Sequence, residues 1–263
     1  MQPLYTPENT TAAYQLNWSV ALFGTGELPS SDFWMENLKI STESDGVRIL
    51  EHHEAAAHVS LFLVSAKPNV SPSQIVRSVK GRWQYLIREL TPKAFRRNYS
   101  ISSVGEATSD VLERYVARQP QNHPMADADV QLRIEALQFH DASVNLGADR
   151  ISSHGRFIYS LQVVLENESG WNEIRKDVLI RSSKMIIDSA AKHGWGLARI
   201  GMVSNHVHVL LTADVTESPE SVAISLMNNL AYVQGMRRVL RFSYYIGTFG
   251  VYDRAAIRRK LRT

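Results

Sequence analysis

Residues 201–212, GMVSNHVHVLLT, place His206 and His208 on either side of Val207. A β-strand alternates its faces, so both imidazoles point the same way about 7 Å apart, while Val207, Val209 and Leu211 point into a core. Two neutral histidines on one polar face are two ligands of a metal site, and the same spacing also suits solvated strand histidines. A second element with chemical potential reads TSDVLERYVARQP from Thr108 to Pro120. It has a capped start, apolar positions at Val111, Leu112 and Val116, and a proline stop, which predicts a helix. Tyr115 and Gln119 stand four apart and share a face. Tyr115 is a nucleophile by residue type and a packing residue by its neighbours.

The chain has 263 residues, enough for one large domain or two small ones. Its 44% hydrophobic and 21% charged content is that of a globular protein. No apolar run approaches the ~20 residues a membrane helix needs, so no membrane partner is expected. The first residues lack the basic and apolar regions of a signal peptide, which predicts a cytoplasmic location. There is no cysteine, so disulfides and thiolate metal sites are excluded and a metal must use His and oxygen ligands. The net charge of +3 is small. Its distribution is uneven: Arg254, Arg258, Arg259, Lys260 and Arg262 crowd the C-terminus, and Arg96 and Arg97 precede a strand. That crowding suits a phosphate backbone and equally a solvated terminal helix.

The elements that would position these groups occur twice. Residues 57–63, AHVSLFL, fall opposite residues 205–211, NHVHVLL. A Ser-Pro helix start follows each, at Ser71 and Ser218 with Pro72 and Pro219, the serine as N-cap and the proline as first helical residue. The helices run to about Leu90 and Val239, and each copy then has a strand ending in glycine, at Gly105 and Gly250. The opening strands correspond as 13–22 and 156–165. Each copy therefore reads β-α-β-α-β-α. The expected fold is α+β: two tandem ferredoxin-like domains, each an antiparallel sheet covered by helices, spanning 1–122 and 155–263 with a linker at 123–154. Residues 128–139 fit a helix or an extra strand.

A strand with His-hydrophobe-His, a strand ending in glycine and a helix with Tyr-x-x-x-Gln resemble the single-tyrosine HUH transposases and their REP-associated relatives. The resemblance covers roughly residues 12–119 and 155–263, including the helix segment Lys80, Gly81 and Arg82. It implies that His206, His208 and Gln119 hold a divalent ion, Mg²⁺ or Mn²⁺, and that Tyr115 attacks a DNA phosphate to leave a 5′-phosphotyrosine and a free 3′-hydroxyl. It implies single-stranded or hairpin DNA as partner. Members of the family resemble one another in working as dimers, with sites built in trans.

Each copy departs from that pattern. On the alignment above, the first copy has Ser60 at the second histidine position and keeps only His58. In the second copy, counting from Gly250 puts Lys260 at the tyrosine position and the glutamine position beyond Thr263, with Tyr252 as the nearby alternative. The losses are complementary, so the expectation is a dimer fused into one chain, monomeric in solution or pairing again, with one composite site of His206, His208, Gln119 and Tyr115. The alternative is a DNA hairpin-binding protein without catalysis; a rolling-circle initiator is a third reading. Lys80, Arg82, Arg96, Arg97, Arg258, Arg259 and Lys260 are candidate DNA contacts. Trp83, Tyr85 and Tyr232 are base-stacking candidates whose default place is the core, and His52, His53 and Glu54 read as a solvated strand edge.

Overall fold

The computed structural model describes residues 2–56, 58–168 and 173–262, with side chains to Arg259. Ala57, one end of the expected strand alignment, lies outside the described residues.

Each half is a ferredoxin-like unit. In the first, β2 (Asn17–Gly24), α1 (Ser31–Ser44), β3 (Val47–Ala56), β4 (Val59–Ala66), α2 (Pro72–Ile87) and β5 (Phe95–Val104) give the antiparallel order β3-β4-β2-β5. In the second, β9 (Ser160–Asn167), α6 (Lys176–His193), β10 (Gly196–Met202), β11 (His206–Thr212), α7 (Pro219–Val233) and β12 (Leu240–Phe249) repeat it as β10-β11-β9-β12. Sequence periodicity missed β3 and β10, so each half is βαββαβ before its last helix. Both central helices begin as expected: the Ser71 hydroxyl accepts from Gln74 N–H and the Ser218 hydroxyl from Ser221 N–H. They stop at Ile87 and Val233, short of the expected ends.

The sheets are mixed, because each half lends a strand to the other. β1 (Thr11–Gln15) runs straight toward β2 but pairs in parallel with β12, and β8 (Gly155–Ile158) precedes β9 but pairs in parallel with β5. The breaks fall at Leu16 and Tyr159. Two hydroxyls pin them in equivalent ways: Asn17 N–H donates to Thr248 Oγ1 at 2.8 Å and Ser160 N–H donates to Ser103 Oγ at 3.0 Å. Thr248 in turn donates to the Val104 carbonyl and Ser103 to the Phe249 carbonyl. Gly105 and Gly250 then cross so closely that a Cβ on the first would strike the Thr248 carbonyl oxygen and one on the second the Ser103 carbonyl oxygen. Past the crossing, Ser109 N–H donates to the Gly250 carbonyl and Arg254 N–H to the Gly105 carbonyl.

The crossing sends each last helix to the opposite half. α3 (Ser109–Ala117) packs on β10, and α8 (Arg254–Arg262) packs on β3 and β4. The segment 123–154 holds α5 (Ala128–Ala136), a helix, and two short strands: β6 (Phe139–His140) on the β10 edge and β7 (Arg150–Ile151) against β8. One apolar core runs through both halves, while Val116, Leu146, Ala198, Leu210 and Phe249 form a second cluster under α3.

The pairing registers also refine the strand correspondence. Asn17 faces Ser65 and Val104 where Ser160 faces Thr212 and Phe249, so Ser65 is the counterpart of Thr212. His206 and His208 therefore correspond to Val59 and Leu61, one residue away from the alignment on His58 and Ser60. Ser60 points inward and is buried, as Val207 is. The shift arises because a one-residue slip exchanges the faces of a strand, and burial fixes which face is inward.

Candidate active site

β11 is the inner strand of its sheet, between β9 and β10, and it presents His206 and His208 on the face that α3 covers. α3 is seated by Val116, fully buried against Leu210 and Ala198; Gly201, with no side chain, leaves room for it. The helix ends at Ala117, and Pro120 does not stop the chain's helical course: it falls within the first turn of α4 (Gln119–Asn122). Gln119 thus follows Tyr115 by about one turn, and its amide Nε2 donates to the Tyr115 carbonyl at 3.4 Å.

Four side chains from the two halves meet here. The ring of Tyr115 stands edge-on to that of His208 with centroids 5.6 Å apart, and the two imidazoles are 4.9 Å apart. Gln119, fully buried, places Oε1 3.4 Å from His206 Nε2. Tyr115 itself is about half exposed, at 47%.

Both ring nitrogens of His206 have a neighbour within hydrogen-bond distance. Its Nδ1 lies 2.7 Å from Asn205 Oδ1. Burial holds the His206 pKa below the usual range, helped by His123 and opposed by Glu166. Burial, with His206 and His123 beside it, holds His208 down to about 3. Both rings are therefore neutral at neutral pH. Among the described residues no group of three or more His, Cys, Asp or Glu side chains could hold a metal ion; beside the imidazole pair stands the Gln119 amide oxygen. Imidazole nitrogen with an amide oxygen fits a divalent ion such as Mn²⁺ or Mg²⁺.

Three further residues belong to this environment and carried little sequence signal. His123 stacks edge-on to His206 at 5.0 Å, from a segment that reads as linker. Gln162 on β9 orients His208, its Nε2 3.1 Å from Nδ1. Asn205, adjacent to the histidine pair, was the one legible in principle.

The equivalent face of the first half has a different character. Val59 and Leu61 replace the histidines, and Arg258 of α8 pairs with Glu51 at 2.7 Å. The Lys260 side chain lies outside the described residues, and Tyr252 is exposed ahead of α8. Other cationic candidates are dispersed. Lys80 donates to the carbonyls of Arg96 and Arg97, Arg82 pairs with Asp45 at 2.8 Å, and Arg96, Arg97 and Arg259 are exposed. Trp83 is buried in the core, whereas Tyr85 and Tyr232 are exposed.

Comparison with known families bears on this geometry. Residues 31–119 match the sequence model of the IS200-like transposases. The match covers about a third of the chain, ends on Gln119 and includes Tyr115, in the half that lacks the histidine pair. It establishes a relationship to the transposase and HUH-nuclease group over that part. No curated protein matches the chain. Among solved structures, the chain is similar to a REP-associated tyrosine transposase bound to a REP hairpin, at 8% identity and a TM-score of 0.32 over 39% of this chain and 62% of that one. It thus spans under two thirds of that relative. A chain assigned as a transposase from Deinococcus radiodurans is similar at 15% identity and a TM-score of 0.34, over 45% of this chain and 96% of that one. A chain assigned as a glycine cleavage system transcriptional repressor gives 9% identity and a TM-score of 0.22, over 89% of this chain and 98% of that one. No helix among the described residues is long and apolar enough to cross a membrane.

Proposed function

We propose that this chain is a metal-dependent single-strand DNA endonuclease and strand transferase with one composite active site, in which Tyr115 is the nucleophile and His206, His208 and Gln119 hold a divalent ion. The observation that carries the reading is the seating of the Tyr115 helix of one half on the histidine face of the other, with the rings 5.6 Å apart. The matched family segment, which contains Tyr115 and Gln119, supports the same chemistry.

The phenol of Tyr115 loses its proton to solvent and its oxygen forms a bond to phosphorus. The bond from phosphorus to the 3′ oxygen breaks, and that oxygen takes up a proton as it leaves. The products are a 5′-phosphotyrosine and a free 3′-hydroxyl, and attack by a 3′-hydroxyl reverses the step to join strands. A divalent ion, when bound, polarises the scissile phosphate and neutralises developing charge. Asn205 and Gln162 keep the two imidazoles oriented, and burial keeps them unprotonated. Val59 and Leu61 stand at the histidine positions of the other face, so the chain makes one cut at a time.

The test is a labelled hairpin oligonucleotide with single-stranded flanks, incubated with Mn²⁺ with and without chelator. A nick whose 3′ end a polymerase extends, absent with chelator, supports the proposal. Salt-sensitive binding without nicking on a panel of hairpins supports the non-catalytic DNA-binding alternative instead.

A further inference from the structure

The two halves differ most beside their central helices. In the second half, the groove between α7 and β12 is filled by the chain's own N-terminal segment. Asn228 accepts from Leu4 N–H and Tyr5 N–H and donates to the Tyr5 carbonyl. The Tyr5 side chain is fully buried, bonded to Leu240 and packed on Phe242 with ring centroids 4.9 Å apart. The equivalent groove of the first half, between α2, β5 and the β7–β8 turn, has no such plug among the described residues. It is an open cleft of about 620 Å³, lined by Arg77, Lys80, Gly81, Arg97, Tyr99 and His154 among others.

The helix starts at Pro72 and Pro219 and the strands β5 and β12 align the two grooves residue by residue. Arg77 stands where the filled groove has Ile224, Lys80 where it has Met227, and Arg97 where it has Phe242. Gly81 stands in place of the clamp Asn228, with open space where a side chain would be. At three lining positions, apolar groups that would hold a peptide are replaced by cations. No lining residue is acidic, and no ion pair among the described residues engages Arg77 or Arg97. Tyr99, half-buried, lies over Gly155 and offers a ring edge in the same cleft.

We infer that this groove binds the phosphodiester backbone of a DNA strand, Arg77 and Arg97 contacting phosphates and the space over Gly81 admitting the chain, so that the half without ligand histidines serves as the DNA grip. The inference rests on the proposed DNA-cleaving function for its choice of polyanion. Lys80 contributes less, since its ammonium already donates to the Arg96 and Arg97 carbonyls.

Two variants of the full chain test it by fluorescence anisotropy of the hairpin oligonucleotide in chelator across a salt series. Arg77→Glu with Arg97→Glu removes the cations; Gly81→Trp fills the groove at an exposed helical position without changing charge. Both should weaken binding by about tenfold or more, and the first should lower the magnitude of the salt slope by roughly 1.4, about 0.7 for each single-strand phosphate that is no longer neutralised. Both binding within about twofold of wild type overturns the groove. A loss from the arginine pair alone overturns it in favour of long-range attraction, and a loss from Gly81→Trp alone in favour of an uncharged or peptide occupant. Mn²⁺-dependent nicking at saturating DNA, measured in parallel, separates the two claims: it persists if only the groove is wrong, while a wild-type chain that neither binds nor nicks DNA overturns both.

Discussion

Tyr115 and His208 meet edge to face at 5.6 Å although they belong to different halves of one chain. The contact exists because the chain crosses itself at Gly105 and Gly250, which carries each last helix to the far sheet. A composite site inside one polypeptide has a kinetic signature. Tyr115→Phe and His206→Ala should each be inactive, and mixing them should restore no nicking, because neither chain holds a complete site. Recovery toward a quarter of wild-type activity on mixing would mean that the site forms between two chains.

Gln119 is the weakest of the proposed ligands by chemistry and the most buried by position. Gln119→Glu replaces an amide oxygen with a carboxylate at the same place and should lower the Mn²⁺ concentration needed for half-maximal nicking. Gln119→Ala should raise it by about tenfold or more, as expected when a metal site is deprived of one supporting group. Metal titrations of nicking rate check both, and equal metal dependence in all three proteins would remove Gln119 from the site.

Much of this arrangement was legible in the sequence. The alternation around His206, the two Ser-Pro helix starts and the Tyr115 helix each reflect local periodicity, and their duplication pointed to tandem α+β units. What escaped was non-local. β3 and β10 lack a clean two-residue alternation, their burial being set by flanking strands and helices. The exchanged strands β1 and β8 look continuous with β2 and β9, since a single residue at Leu16 or Tyr159 redirects each. The strand correspondence slipped by one residue because His58 resembles His206 by type, whereas burial aligns Val59 with it. Pro120 read as a stop and instead begins another turn.

The seam between the halves depends on buried hydroxyls that no motif announces. Thr248 Oγ1 accepts from Asn17 N–H and donates to the Val104 carbonyl. Thr248→Val keeps the shape and leaves both groups without partners, a cost of about 1–3 kcal/mol for each buried group so stranded. Urea denaturation should show the midpoint falling; an unchanged midpoint would mean that the seam adds nothing to stability.

His52 on β3 lies among Phe62, Trp34 and Trp83, at ring centroid distances of 4.6, 5.1 and 6.0 Å. Burial, with neighbouring His53 adding to it, lowers its pKa to about 4. The unfolded chain takes up this proton near pH 6.5 while the folded chain does not, so stability falls as pH drops from 6.5 and levels off below 4. His52→Phe should flatten that fall in thermal melts recorded across the window. An identical pH dependence in both proteins would place the acid sensitivity elsewhere.

The central claim is that Tyr115 joins covalently to DNA beside His206 and His208. The direct measurement is mass spectrometry of the denaturation-resistant protein–DNA adduct formed with Mn²⁺ on a hairpin oligonucleotide. The account predicts a nucleotide-bearing peptide containing Tyr115, absent with chelator and absent in Tyr115→Phe, with Tyr252→Phe unaffected. An adduct on Tyr252, or one that persists in Tyr115→Phe, would contradict it.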